Sequence, residues 1–235
     1  MIRRLFYRIP SPMVRALLPG LFLSAAGALA FVVVLHQFLE RDDLYVLDGP
    51  VLRWLVAERR PWLTDVLTGI TNAFGPVLLP LVVGVACVVW ALVTRRWRDP
   101  ALLVGAMVVS TGIAVLVKAV VHRPRPPADL QVIPGLETSF SFPSGHTTGA
   151  ATLVLVTAYV LWRHRRDGSQ FVVWLAASVV IVALVGGSRL YLGYHFVTDV
   201  IAGASLGVVT LGLTVAASRW LDLRQRPPVD GAVRT

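Results

Sequence analysis

Residues 101–127 read ALLVGAMVVSTGIAVLVKAVVHRPRPP. No charge occurs between Ala101 and Val117. About 20 residues of this character span the hydrocarbon core of a bilayer as a helix, so the stretch predicts a transmembrane helix. Lys118 interrupts the apolar run. A lysine at such depth costs roughly 2.5–3.5 kcal/mol unless it snorkels to the interface or meets an anion. Arg125 follows seven residues later, and the prolines at 124 and 126 limit how far the helix continues. His122 to Pro127 alone reads equally as a basic loop on anionic headgroups.

The same apolar pattern recurs along the 235-residue chain. Hydrophobic residues make up 56% of it and charged residues 15%, whereas soluble domains carry about a quarter charged residues. Six spans are expected: about Ala16–Leu39, Val77–Val93, Ala101–Val121, Thr147–Trp162, Phe171–Val185 and Val197–Ala217. The fourth and fifth are short, so they need flanking residues or a thin bilayer. Between the first two spans, Leu52, Leu55 and Val56, then Leu63, Val66 and Leu67, recur at helical spacing. They predict one or two amphipathic helices in the interface, where Trp54 and Trp62 belong. A packed extramembrane loop is the alternative. The expected fold is an all-α, polytopic membrane bundle forming a single domain over 1–235, with a disordered cytoplasmic tail over about 222–235.

The net charge is +9. A basic chain can bind nucleic acid, but here the positions indicate topology. Arg3, Arg4, Arg8 and Arg15 precede the first span. Arg95, Arg96 and Arg98 follow the second, Arg163, Arg165 and Arg166 the fourth, and Arg219, Arg224 and Arg226 the sixth. With six spans these fall on one side, which the positive-inside rule makes cytoplasmic. Both termini are then expected inside. The N-terminal arginines, the apolar run and Ala28-Leu29-Ala30 imitate a signal peptide. Cleavage there would leave Phe31 to Leu35 continuing the run, so an uncleaved span is expected. The lone Cys87 forms no internal disulfide.

Two further stretches carry chemistry. Pro143-Ser144-Gly145-His146 opens the fourth span. Proline favours a first helical turn, and Ser144 and Gly145 would present free N–H groups at a helix N-terminus, which suits an anion. An ordinary capping turn is the plainer reading. Ser188-Arg189 precedes His195-Phe196-Val197-Thr198-Asp199 at the end of the fifth span and start of the sixth. The spacing of four puts His195 and Asp199 on one helical face. Asp199 can then accept from one imidazole nitrogen and leave the other free to attack. By the same parity all three stretches converge on the extracytoplasmic side.

Jointly, Lys118-(six residues)-Arg125-Pro126, Pro143-Ser144-Gly145-His146 and Ser188-Arg189-(five residues)-His195-(three residues)-Asp199 resemble the signature of the type 2 phosphatidic acid phosphatase family. These are integral membrane lipid phosphate phosphatases. Soluble acid phosphatases and vanadium haloperoxidases share the signature, and the six spans argue against both. The resemblance implies that His195 is the nucleophile, forming a phosphohistidine, and that Asp199 orients it. It implies that His146 is general acid and then base. Lys118, Arg125 and Arg189, with Ser144 and the Gly145 N–H, would clamp the phosphate. Three cations can supply the charge stabilisation that phosphoryl transfer needs, so no metal or other cofactor is expected. His36 and His164 are expected to be non-catalytic, and contact of His122 with a headgroup is the lesser reading of that residue.

The expected activity is hydrolysis of a lipid phosphate or diphosphate at the outer face of a bacterial inner membrane, with membrane lipids as partners and no nucleic acid. Undecaprenyl diphosphate is the first substrate expectation; phosphatidylglycerophosphate or phosphatidic acid is the alternative. A polyprenyl phosphate transporter is the reading of another class. It calls for repeats and broken helices near the midplane, and the sequence shows no repeat.

Overall fold

The computed structural model describes residues 12–165 and 167–225. Among them are eight α-helices: α1 (Pro12–Glu40), α2 (Asp43–Ala57), α3 (Pro61–Ala73), α4 (Leu78–Thr94), α5 (Arg98–Val121), α6 (Gly145–Arg165), α7 (Gly168–Tyr191) and α8 (Val197–Arg224). No strand occurs among the described residues. The six expected spans fall in turn on α1, α4, α5, α6, α7 and α8, but the count of six is not reached.

By length and apolarity, α1, α5, α7 and α8 qualify individually as membrane spans. A fifth arises if α3 and α4, bent 51° at their junction, count as one. The protein is thus a multi-pass membrane protein with four to five spans by this criterion. Alone, α4 has 17 residues, about 26 Å at 1.5 Å per residue, short of the ~30 Å core. Helix α6 carries too many small polar residues to qualify, and its position explains them. It packs against α5, α7 and α8, and Thr147, Thr148 and Thr152 are buried within the bundle.

The fourth and fifth spans take up flanking residues, the first of the two alternatives: α6 has 21 residues and α7 has 24. One length expectation is corrected. Helix α8 runs to Arg224, three residues into the segment expected to be disordered. The remainder of that tail, 226–235, lies outside the described residues.

Helix α1 runs unbroken through Ala28-Leu29-Ala30 and packs most extensively along α8. Without a hydrophobic drive between helices in lipid, small residues permit the close approach that dispersion requires. A Cβ on Gly20 would fall 2.6 Å from the Gly212 carbonyl oxygen and 2.6 Å from the Ala216 nitrogen. The amphipathic segment forms two helices, as expected, and both are docked. Leu55, Leu63 and Leu67 pack on Tyr191, Leu192 and Tyr194, while Trp54 and Trp62 stay exposed.

Two ends of the bundle differ. At one, Arg98 pairs with Asp222 at 2.7 Å, Arg163 with Asp99 at 3.4 Å and His164 with Asp99 at 2.8 Å. At the other meet the C-terminal ends of α5 and α7 and the N-terminal ends of α6 and α8. The three motifs lie there.

Candidate active site

The end of α7 turns through Gly193, whose φ of +80° is a conformation that favours glycine. A side chain there would overlap the Leu130 carbonyl oxygen. This turn delivers His195 into the bundle, 1% exposed. His195 does not share a helical face with Asp199 as expected, because α8 begins only at Val197. The pair meets through capping instead. Asp199 Oδ2 accepts the Phe196 N–H at 2.9 Å, which folds the carboxylate back over the helix start. There it lies 3.2 Å from His195 Nδ1. Ser141 Oγ donates to the same oxygen, and Arg123 Nη1 donates to the other at 2.6 Å.

The far side of the imidazole faces cations. Arg125 Nη1 lies 3.2 Å from His195 Nε2 and 2.9 Å from the Tyr194 carbonyl. A guanidinium only donates, so Nε2 carries the lone pair and Nδ1 the proton, which it donates to Asp199. Burial pushes the His195 pKa down to about 4, against the opposing hydrogen bond and charge of Asp199. The ring is therefore neutral at physiological pH.

Arg189, on α7, donates to Thr71 Oγ1 of α3 at 2.8 Å and to Glu137. Its Nε is buried without a hydrogen-bond partner. Buried donors are normally satisfied, so an orphan here fits an oxygen-rich ligand. Glu137 also pairs with Arg125 at 2.6 Å. Burial would raise the Glu137 pKa, but Arg189 and Arg125 outweigh it and hold the carboxyl below its ordinary value. Burial in turn lowers the Arg125 pKa, with Glu137 and Asp199 opposing. Lys118, at the end of α5, resolves its depth by donating to the Phe140 and Ser141 carbonyls, the second at 3.3 Å.

The turn opening α6 differs from expectation in one donor. The Ser144 N–H is taken by the Asp199 carbonyl at 3.0 Å, so it is not free for an anion. The Ser144 hydroxyl accepts from Thr147 Oγ1 at 3.0 Å and is fully buried, as a capping residue. Gly145 is exposed at the first position of the helix. His146 is half-buried beside it, within electrostatic reach of Arg189, Glu137, His195 and Arg125. The structure thus gathers Lys118, Arg125, Gly145, His146, Arg189, His195 and Asp199 at one end of the bundle, with Ser144 beneath them. His122 lies edge-on to Phe140, with ring centroids 4.6 Å apart.

Residues 99–222 match the PAP2 superfamily model. The chain belongs to the PAP2 superfamily. Among its PAP2 relatives, phosphatidylglycerophosphatase B of Bacillus subtilis (strain 168) is 36% identical over 182 residues, 76% of this chain and 87% of that one. The decaprenylphosphoryl-5-phosphoribose phosphatase of Mycobacterium tuberculosis is 35% identical over 142 residues, 56% of this chain and 72% of that one. The crystal structure of a transmembrane PAP2-type phosphatidylglycerolphosphate phosphatase from Bacillus subtilis superposes with a TM-score of 0.72 at 30% identity, covering 86% of this chain and 98% of that one. This PAP2 protein is accordingly a membrane phosphatase that hydrolyses lipid phosphate esters.

Four site residues escaped the sequence reading: Arg123, Glu137, Ser141 and Asp48. Arg123 falls in the His122–Pro127 stretch that reads as a basic loop, and nothing in its local sequence marks its burial. Glu137 and Ser141 sit in a connection without periodicity. Asp48 did leave a signal, as an acid directly after the apolar run Leu44-Tyr45-Val46-Leu47.

Proposed function

We propose that the protein removes phosphate from a lipid phosphomonoester or diphosphate at the extracytoplasmic face of a bacterial inner membrane, through a phosphohistidine on His195. The observation that carries this is the placement of His195 between Asp199 and Arg125. Nδ1 lies 3.2 Å from Asp199 Oδ2, and Nε2 lies 3.2 Å from Arg125 Nη1, a cation that would hold the phosphate.

His195 Nε2 attacks phosphorus as the bond from phosphorus to the lipid oxygen breaks. Asp199 balances the positive charge that develops on the ring. The leaving oxygen takes a proton from His146, whose protonated form is favoured once an anionic phosphate lies beside it. After the leaving group departs, a lipid alcohol from a monoester or a lipid monophosphate from a diphosphate, His146 takes a proton from water, the water oxygen attacks phosphorus and the N–P bond breaks. Inorganic phosphate leaves and both imidazoles return to their starting states. Lys118, Arg125, Arg189 and the Gly145 N–H stabilise the non-bridging oxygens, with the Ser144 hydroxyl behind them. These cations supply the charge stabilisation, so the reaction runs without a metal. Glu137 holds the place of the phosphate between Arg125 and Arg189 and gives way when substrate binds.

The names of the Bacillus subtilis phosphatases favour phosphatidylglycerophosphate. The mycobacterial enzyme is named for a phosphoribose on a decaprenyl lipid, which supports a polyprenyl tail but not a diphosphate, so undecaprenyl diphosphate is the second reading. Phosphate release by purified protein over a panel of both lipids and phosphatidic acid tests this. The preferred substrate is the one with the highest kcat/KM. Absence of release from every lipid phosphate would sink the proposal.

A further inference from the structure

Helix α2 carries a buried acid with no role in the chemistry above. Asp48 is 2% exposed, and a buried carboxylate needs partners. It has three, all at the site. Asp48 Oδ1 accepts the Thr198 N–H at 3.0 Å, and Oδ2 accepts the Thr198 hydroxyl and Arg123 Nη2, each at 2.6 Å. Thr198 is the second residue of α8, so Asp48 caps, from another helix, one of the N–H groups that a helix start leaves unsatisfied. Asp199 caps the Phe196 N–H, two residues earlier at the N-cap. The start of α8 is held by one carboxylate of its own and one from α2.

Arg123 joins the two acids. One arm donates to Asp199 Oδ1 and the other to Asp48 Oδ2, both at 2.6 Å. Its guanidinium lies 4.5 Å from the Phe38 ring centroid and 4.2 Å from that of Phe196, so the planar fork is gripped by aromatic rings. Charge balance then matters. Arg123 alone would neutralise Asp199 and weaken its hold on the imidazolium. Shared with Asp48, it leaves the trio with one net negative charge, which faces His195.

We infer that Asp48 is a positioning residue for phosphate hydrolysis. Through Arg123 and Thr198 it fixes Asp199 Oδ2 on His195 Nδ1, and by sharing Arg123 it preserves the negative charge that the phosphorylated ring requires. This rests on His195 as the nucleophile. It makes the amphipathic helix α2 a working part of the site.

The test is steady-state kinetics of Asp48→Asn in detergent with an activated aryl phosphate, alone and in an Asp199→Asn background. Alone, kcat should fall roughly 10–100-fold, the scale typical of losing a partner behind a directly acting group. KM and inhibition by vanadate should hold, because Lys118, Arg125 and Arg189 are untouched. With Asp199→Asn the further loss should largely vanish, since residues acting through one another are non-additive. Wild-type kcat in Asp48→Asn, a change confined to KM, or an equal fold-loss in both backgrounds would overturn the inference. Should Asp48→Asn not fold, Arg123→Lys keeps the cation but loses the fork; kcat should again fall at constant KM, and wild-type kcat would overturn it. His195→Ala is the control. An active His195→Ala defeats the nucleophile assignment, whereas an inactive one beside a full-rate Asp48→Asn defeats only this inference.

Discussion

Arg125 Nη2 lies 2.6 Å from Glu137 Oε2, and the other oxygen of that carboxylate meets Arg189. Two cations assigned to the substrate phosphate thus share one loop acid. Their substrate must displace or share that partner. Glu137→Gln removes the competing charge while keeping the shape. Inhibition by inorganic phosphate should tighten by about tenfold, equivalent to ~1.4 kcal/mol, and KM should fall in parallel. Weaker inhibition would mean instead that Glu137 holds the arginines in position for substrate.

The pH dependence follows from His195. Its pKa is lowered by burial to about 4, so the nucleophile stays neutral down to that pH and is lost as pH falls through it. Profiles of kcat/KM report the free enzyme. After correction for the substrate's own phosphate ionisation, measured by its ³¹P shift, the acid limb due to His195 should lie near pH 4. A limb near the ordinary histidine value of about 6.5 would contradict a ring held neutral by burial.

His146 is tested by leaving group. If it protonates the departing oxygen, His146→Ala should lose more activity with a lipid phosphate than with an aryl phosphate, whose leaving group needs no proton. Acid–base assistance is worth about 10²–10⁴-fold. The difference should appear in single-turnover release of the alcohol, ahead of dephosphorylation. Equal losses with both substrates would remove His146 from that role.

Topology predicts that reporter fusions at Leu130 lie outside and at Arg165 inside. The arginines at the end of the bundle opposite the site motivate this. The reverse pattern would move the site to the cytoplasmic face.

Much of this architecture was legible from apolar run length, because a bilayer demands it wherever a helix faces lipid. Helix α6 shows the limit: surrounded by protein, it escapes that demand and carries threonines that a span would not. The motif residues were legible because Lys118, Arg189 and Asp199 are charges in apolar company. What stayed hidden was pairing at a distance. Arg123 and Asp48 are 75 residues apart in sequence and meet only after α2 docks on α8. The contact between His195 and Asp199 was expected, but its cause was not. A capping geometry, rather than the periodicity of a helix, brings them together.

The central claim is that His195 carries the phosphoryl group. Rapid quenching with ³²P-labelled substrate should trap label on the protein that is acid-labile and base-stable, as a phosphoramidate is, and that maps to His195. His195→Ala should trap none with any substrate. Label trapped by His195→Ala, or label mapping to Ser144, would contradict the account.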